Sequence, residues 1–120
     1  MDRRINMKHE MKLNSTAFGG VKKGIQKYET RLLDEKRSKI QIGDTIIFYK
    51  LPDLKEKTEV KVTNIIRAKN FNELFTMFPV TEANWPSNFT IEDCAKSMEK
   101  YYSIKDQNKY GVVAFKLLIS

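Results

Sequence analysis

Apolar positions along this chain switch between a strand-like and a helix-like period. Met7 to Leu13 mixes methionine with charge and predicts an opening strand. From Ser15 to Gly24 the spacing of Phe18, Val21 and Ile25 is near-helical, with Ser15 as the cap and Gly24 as the stop. Tyr28 to Leu33 alternates: Tyr28, Thr30 and Leu32 face one way, Glu29 and Arg31 the other. Asp34-Glu35-Lys36-Arg37 reads as a polar turn, and Gly43-Asp44 as a second one after Ile40-Gln41-Ile42. Thr45 to Leu51 is β-branched and aromatic, a buried strand broken at Pro52-Asp53. Glu59 to Ala68 alternates through Val60, Val62 and Ile65, with a bulge predicted near Asn64.

Asn70 caps a helix to Met77 whose Phe71, Leu74 and Phe75, with Phe78 beyond them, share one face; Pro79 ends it. Thr81 to Phe89 has no period and contains Trp85-Pro86, so it is a loop. Thr90-Ile91-Glu92-Asp93 forms a capping box that opens a helix to Tyr101. Tyr110 to Ile119 is an apolar final strand. The pattern gives about five or six strands and three short helices, with few crossovers between strands. It predicts an α+β fold, a small mixed β-barrel with flanking helices, rather than a doubly wound sheet.

The 120 residues suffice for a single domain with its own core. Hydrophobic residues at 41% and charged ones at 31% exclude a disordered or low-complexity chain. One cysteine, Cys94, and one histidine, His9, exclude an internal disulfide and a Cys/His metal cluster. No metal or cofactor is expected. No apolar run is long enough to span a bilayer, and Met1 to Lys12 lacks the apolar segment of a secretory signal. The expectation is a cytoplasmic protein without membrane contact; the sequence is silent on oligomeric state.

Charge adds direction. The net charge is +7, and residues 1–40 hold 11 basic against 5 acidic residues. A basic first third points to a polyanion or an anionic small ligand. Within it, Glu29 and Arg31 project from one strand face, where they can pair with each other or together grip a base or an anion. Lys36 and Arg37 follow in a turn that could track a phosphate backbone. Glu82, in the loop beside Trp85, is a candidate general base or base-edge acceptor. Tyr101 and Tyr102 can stack a base or pack in the core, and the Met98–Tyr101 spacing assigns Tyr101 to the core. His9 has no partner acid in sequence, and Cys94 reads as helix packing.

These pieces resemble a known family. Gly24-x-Gln26-x-x-Glu29-x-Arg31 is similar to the G-x-K-x-x-E-x-R signature of the ASCH domains (activating signal cointegrator homology), which share a PUA-like fold. The stretch from Arg31 through Asp34-Glu35-Lys36-Arg37 to Gly43-Asp44, then Glu82, Met98-x-x-Tyr101-Tyr102-Ser103 and Tyr110-Gly111, resembles its later landmarks, so the resemblance covers nearly all of residues 7–118. It implies a polar cleft for RNA or a nucleoside, bordered by Gln26, Glu29, Arg31, Lys36, Arg37, Glu82, Tyr102 and Ser103. One branch hydrolyses acetylcytidine with a lysine, a threonine and a glutamate; others are similar to ribonucleases. Here Gln26 stands at the lysine position and Glu29 at the threonine position, and only the glutamate, Glu82, is matched.

Two functions follow. In the first, a binding module, Lys22, Lys23, Arg31, Lys36 and Arg37 contact phosphates while Glu29 and Glu82 read a base edge. In the second, a hydrolase for a modified nucleoside or single-stranded RNA, Glu82 is the general base and Lys27 or Arg31 stabilises charge. Lys27 is adjacent to Gln26, but a regular strand points it to the opposite face.

Overall fold

The computed structural model describes residues 5–119; Asp2, Arg3 and Arg4, part of the basic first third, lie outside them. Five strands form one sheet: β1 (Lys8–Leu13), β2 (Tyr28–Leu32), β3 (Thr45–Lys50), β4 (Lys57–Ala68) and β5 (Val112–Ile119). Their order is β1-β3-β4-β5-β2. β1 runs parallel to β3, and every other pairing is antiparallel. The sheet curls into a PUA-like half-barrel whose two edges, β1 and β2, are not paired with each other. The α+β class, the mixed sheet and the barrel architecture of the sequence reading are therefore present.

β5 shows why the sheet needs cover on both sides. Val113, Phe115 and Leu117 are buried on one face and Val112 and Ala114 on the other. The first face packs with Ile46, Phe48, Val60 and Val62, covered by Phe18 and Val21 of α1 (Ser15–Lys22). The second packs under Phe71 and Leu74 of α3 (Phe71–Leu74), Phe75, and Cys94 and Ala95 of α4 (Ile91–Ser97). β4 serves the first face through Val60, Val62 and Ile65 because its register shifts between Val62 and Asn64. That extra residue is the predicted bulge; without it Ile65 would turn away from its neighbours.

Several local expectations are corrected. Asn14, not Ser15, caps α1, its side chain accepting from the Ala17 N–H at 2.8 Å. Asp34 to Arg37 is no simple turn: Asp34 caps the single turn α2 (Glu35–Ser38) by accepting from the Arg37 N–H. α3 is capped by Asn70 as read but stops at Leu74. The loop after Pro79 begins with a 3-10 turn, Val80–Ala83. The Thr90–Asp93 capping box is present, but α4 ends at Ser97 and a 3-10 turn, Met98–Lys100, follows. A further helix, α5 (Ile104–Tyr110), had no counterpart in the pattern. Its only buried residue is Gln107, so no apolar stripe announces it.

Candidate nucleic-acid interface

The open seam between β1 and β2 builds the site. Edge strands leave unpaired carbonyls, and here cationic side chains meet them. Arg31 of β2 donates from Nη2 to the Lys12 carbonyl of β1 at 2.8 Å. Lys36 of α2 donates from Nζ to the Glu10 carbonyl at 2.7 Å. Of two cations expected to meet phosphate, Arg31 thus ties edge β2 to edge β1, and Lys36 ties α2 to β1.

Behind Arg31 runs a buried polar row. Gln26 and Glu29 are 5% and 7% exposed. Gln26 Nε2 donates to Glu29 Oε1 at 2.9 Å, and Arg31 Nε donates to Glu29 Oε2 at 2.8 Å. The Tyr102 side chain also faces Arg31 across the cleft lining. Burial alone would lower the Arg31 pKa; the charge and hydrogen bond of Glu29, with Tyr102 beside it, outweigh it and raise the pKa above its ordinary value. The predicted face sharing of Glu29 and Arg31 holds: they pair across to Phe115 and Val113 of β5, on the α1 side of the sheet.

This row floors a cleft of about 440 Å³. Its walls are Lys12, Asn14 and Thr16 from the β1–α1 corner, Asn84 and Trp85 from the loop after Pro79, and Met98, Tyr101 and Tyr102. Trp85 packs edge-on against Phe75 and stacks on Phe89, so its ring is held from behind. Asn84 sits at φ 67°, a left-handed backbone that asparagine tolerates. α1 presses close to both: a Cβ on Gly20 would lie 2.9 Å from Asn84 Nδ2 and 3.4 Å from Gln26 Cβ.

Of the residues the sequence singled out, Gln26, Glu29, Arg31 and Tyr102 line the cleft. Tyr102 is the ring that packs, stacked on Phe71 at 6.1 Å, while Tyr101 is 61% exposed. That overturns the expected core placement of Tyr101, because the 3-10 turn after α4 changes the phase of the chain. Ser103 caps α5 and is outside the lining. Glu82 is half-buried just behind the lining, its backbone carbonyl accepting from the Lys27 N–H at 2.7 Å. Lys27 is exposed and is not part of the cleft wall, and Lys22 and Lys23 are exposed at the far end of α1. Arg37 folds back on Asp34 at 2.7 Å. Asn14, Asn84 and Trp85 were not picked out as site residues; the aperiodic Asn84-Trp85-Pro86 was the signal for the last two.

A second groove of about 600 Å³ includes Met7, His9, Lys36, Lys39 and Tyr110. Though larger, it is the weaker ligand site, because its charges answer one another. His9 is not alone after all: Nε2 lies 2.8 Å from Oδ2 of fully buried Asp44. Lys39 pairs with Glu35 at 3.7 Å. No group of three or more His, Cys, Asp or Glu side chains suited to a metal occurs among the described residues, and no helix among them is long and apolar enough to cross a membrane.

No protein-family model and no curated protein matches the chain. Solved structures do. The chain is similar to the hypothetical protein PH0355, with 34% identity over 95% of this chain and 100% of that one, at a TM-score of 0.83. It is similar to protein PF0455 from Pyrococcus furiosus, with 30% identity over 94% and 97% of the two chains, at a TM-score of 0.73. An ASCH protein from Zymomonas mobilis matches at 14% identity over 92% of this chain and 66% of that one, with a TM-score of 0.65, a likeness of fold.

Proposed function

This chain belongs to one family with PH0355 and PF0455 and carries the ASCH fold, and from that premise we infer that its seam cleft holds one base of a single-stranded RNA or a free nucleotide. The observation that carries this reading is the lining itself. Two aromatic rings, Trp85 and exposed Tyr101, line the cleft together with the side-chain amides of Gln26, Asn14 and Asn84. Rings offer a stacking surface to any base, and amides meet base edges. About 440 Å³ falls within the size range of small-ligand sites.

The same geometry limits the electrostatic part. Arg31 is neutralised by Glu29, Arg37 by Asp34, and Lys36 is bonded to the Glu10 carbonyl. Lys12 is left as the exposed cation at the cleft. Base contacts therefore carry more of the binding than a phosphate-tracking surface would.

Trp85 is the sole tryptophan and lines the cleft, so its fluorescence reports occupancy directly. Titration with single-stranded RNA is expected to change that emission. Its affinity should fall with salt along a log–log slope of about −0.7 to −1.4, the release expected from one or two phosphates. A slope steeper than about −3 would instead support phosphate tracking by the basic first third. No response to RNA or nucleotide would sink the reading.

Hydrolysis is the weaker alternative on this geometry. It needs a cation or a donor at the developing oxyanion, and a base near the reacting atom. Arg31 is paired with Glu29, Gln26 carries no charge, and the candidate base Glu82 stands outside the cleft lining with Lys27, which leaves Lys12 as the exposed cation there. Turnover of acetylcytidine or RNA that disappears in Glu82→Gln would reverse this preference.

A further inference from the structure

We infer that Gln26 fixes the hydrogen-bond polarity of the cleft floor, so that the bound base must present an N–H donor there: an amino-bearing edge, as in cytosine or adenine, in preference to its keto counterpart. The inference rests on the base-binding reading above and adds the class of base.

A glutamine amide has a donor end and an acceptor end, and a free one turns over to match either partner. Gln26 cannot. Its Nε2 lies 2.9 Å from Glu29 Oε1. A carboxylate paired with arginine only accepts, so the nitrogen end must face it. Glu29 is held in turn, since Arg31 Nε and Nη2 grip its Oε2 at 2.8 and 2.7 Å. Arg31 is anchored on the Lys12 carbonyl at 2.8 Å. The Gln26 backbone is fixed as well, its N–H donating to the Gly20 carbonyl at 2.9 Å.

Nε2 keeps a second N–H, and Oε1 is the acceptor that remains. Gln26 Oε1 has no hydrogen bond among the described residues, in a side chain that lines the cleft and is 5% exposed. A ligand N–H meets this waiting acceptor. A ligand carbonyl placed at Oε1 would set two acceptors face to face, with no amide turnover available to relieve them, and sites built on a buried hydrogen bond reject such analogues strongly.

The test is a pair of nucleoside comparisons read by Trp85 fluorescence: cytidine against uridine, and adenosine against inosine, with oligo-C and oligo-U RNA alongside. In each pair that binds, the amino member is expected to bind at least about tenfold tighter. Gln26→Met, which removes the acceptor at similar volume, should bring the ratio to within about twofold. Glu29→Gln frees Gln26 to turn over and should also erase the preference; thermal unfolding checks that this variant is folded, and Gln26→Met decides if it is not. Equal affinity for both members in the wild type overturns the inference while the base-binding reading stands. Silence of Trp85 toward every nucleoside and RNA overturns both.

Discussion

Replacing Arg31 with methionine is expected to lower the unfolding free energy by about 3 kcal/mol, the lower end of the range for breaking a buried ion pair. The lower end applies because the Arg31 side chain is 14% exposed and the partner carboxylate 9%. The substitution leaves Glu29 as a buried anion with only Gln26 as donor. It also removes the hydrogen bond from β2 to the Lys12 carbonyl, so the seam opens on that side. Chemical denaturation measures the first effect, and faster hydrogen exchange in β1 the second. The double variant Glu29→Met/Arg31→Met should recover part of the loss, because no charge is then stranded. A loss below about 1 kcal/mol for Arg31→Met would mean that the pair behaves as a surface salt bridge and does not hold the seam.

Asp44→Ala is expected to cost a similar amount, about 3 kcal/mol, from hydrogen bonds to a buried charged acceptor. The carboxylate accepts from the Met7 N–H at 3.1 Å, the Gln41 N–H at 3.0 Å and the His9 ring at 2.8 Å. Those three partners come from the start of β1 and from the turn before β3, so Asp44 fixes where the parallel pair begins. Its removal strands a half-buried imidazole and two N–H groups. Denaturation midpoints and loss of protection at His9 and Thr45 are the readouts. A near-neutral Asp44→Ala would show that the hydrophobic pairing of β1 with β3 needs no such anchor.

The two sites differ in how far the sequence announced them. Alternation in Tyr28–Leu32 placed Glu29 and Arg31 on one face, and that face is where they pair. The bulge near Asn64 was visible because Val60, Val62 and Ile65 break a strict period of two. What the alternation could not carry was the destination of long side chains. Arg31 and Lys36 read as free cations; their partners are backbone carbonyls of a strand 19 and 26 residues away. Edge carbonyls are invisible in a residue string, because every residue has one. His9 and Asp44 likewise meet only because β1 pairs with β3 across 35 positions. α5 escaped notice because a helix held by the Ser103 cap and closed at Gly111 needs no apolar stripe. Tyr101 left the core for a local reason, a 3-10 turn that ended the helical phase assumed for Met98 and Tyr101.

The cleft thus owes its shape to contacts that also hold the fold. A structure that closes its barrel with Arg31 has little charge left at that point for phosphate, and Gln26 in place of a cation leaves the floor neutral. On the base-binding reading, the basic first third would act over longer range, by raising the rate of encounter with a polyanion.

The most direct test of the account is to map where RNA lands. A uniformly 15N-labelled sample would be titrated with a short single-stranded RNA and followed by NMR. The account predicts that the side-chain amides of Asn14, Gln26 and Asn84 and the indole N–H of Trp85 shift together and saturate at one affinity. Shifts confined to His9, Lys36, Lys39 and Tyr110, or to Lys22 and Lys23 at the end of α1, with the cleft amides unmoved, would contradict it.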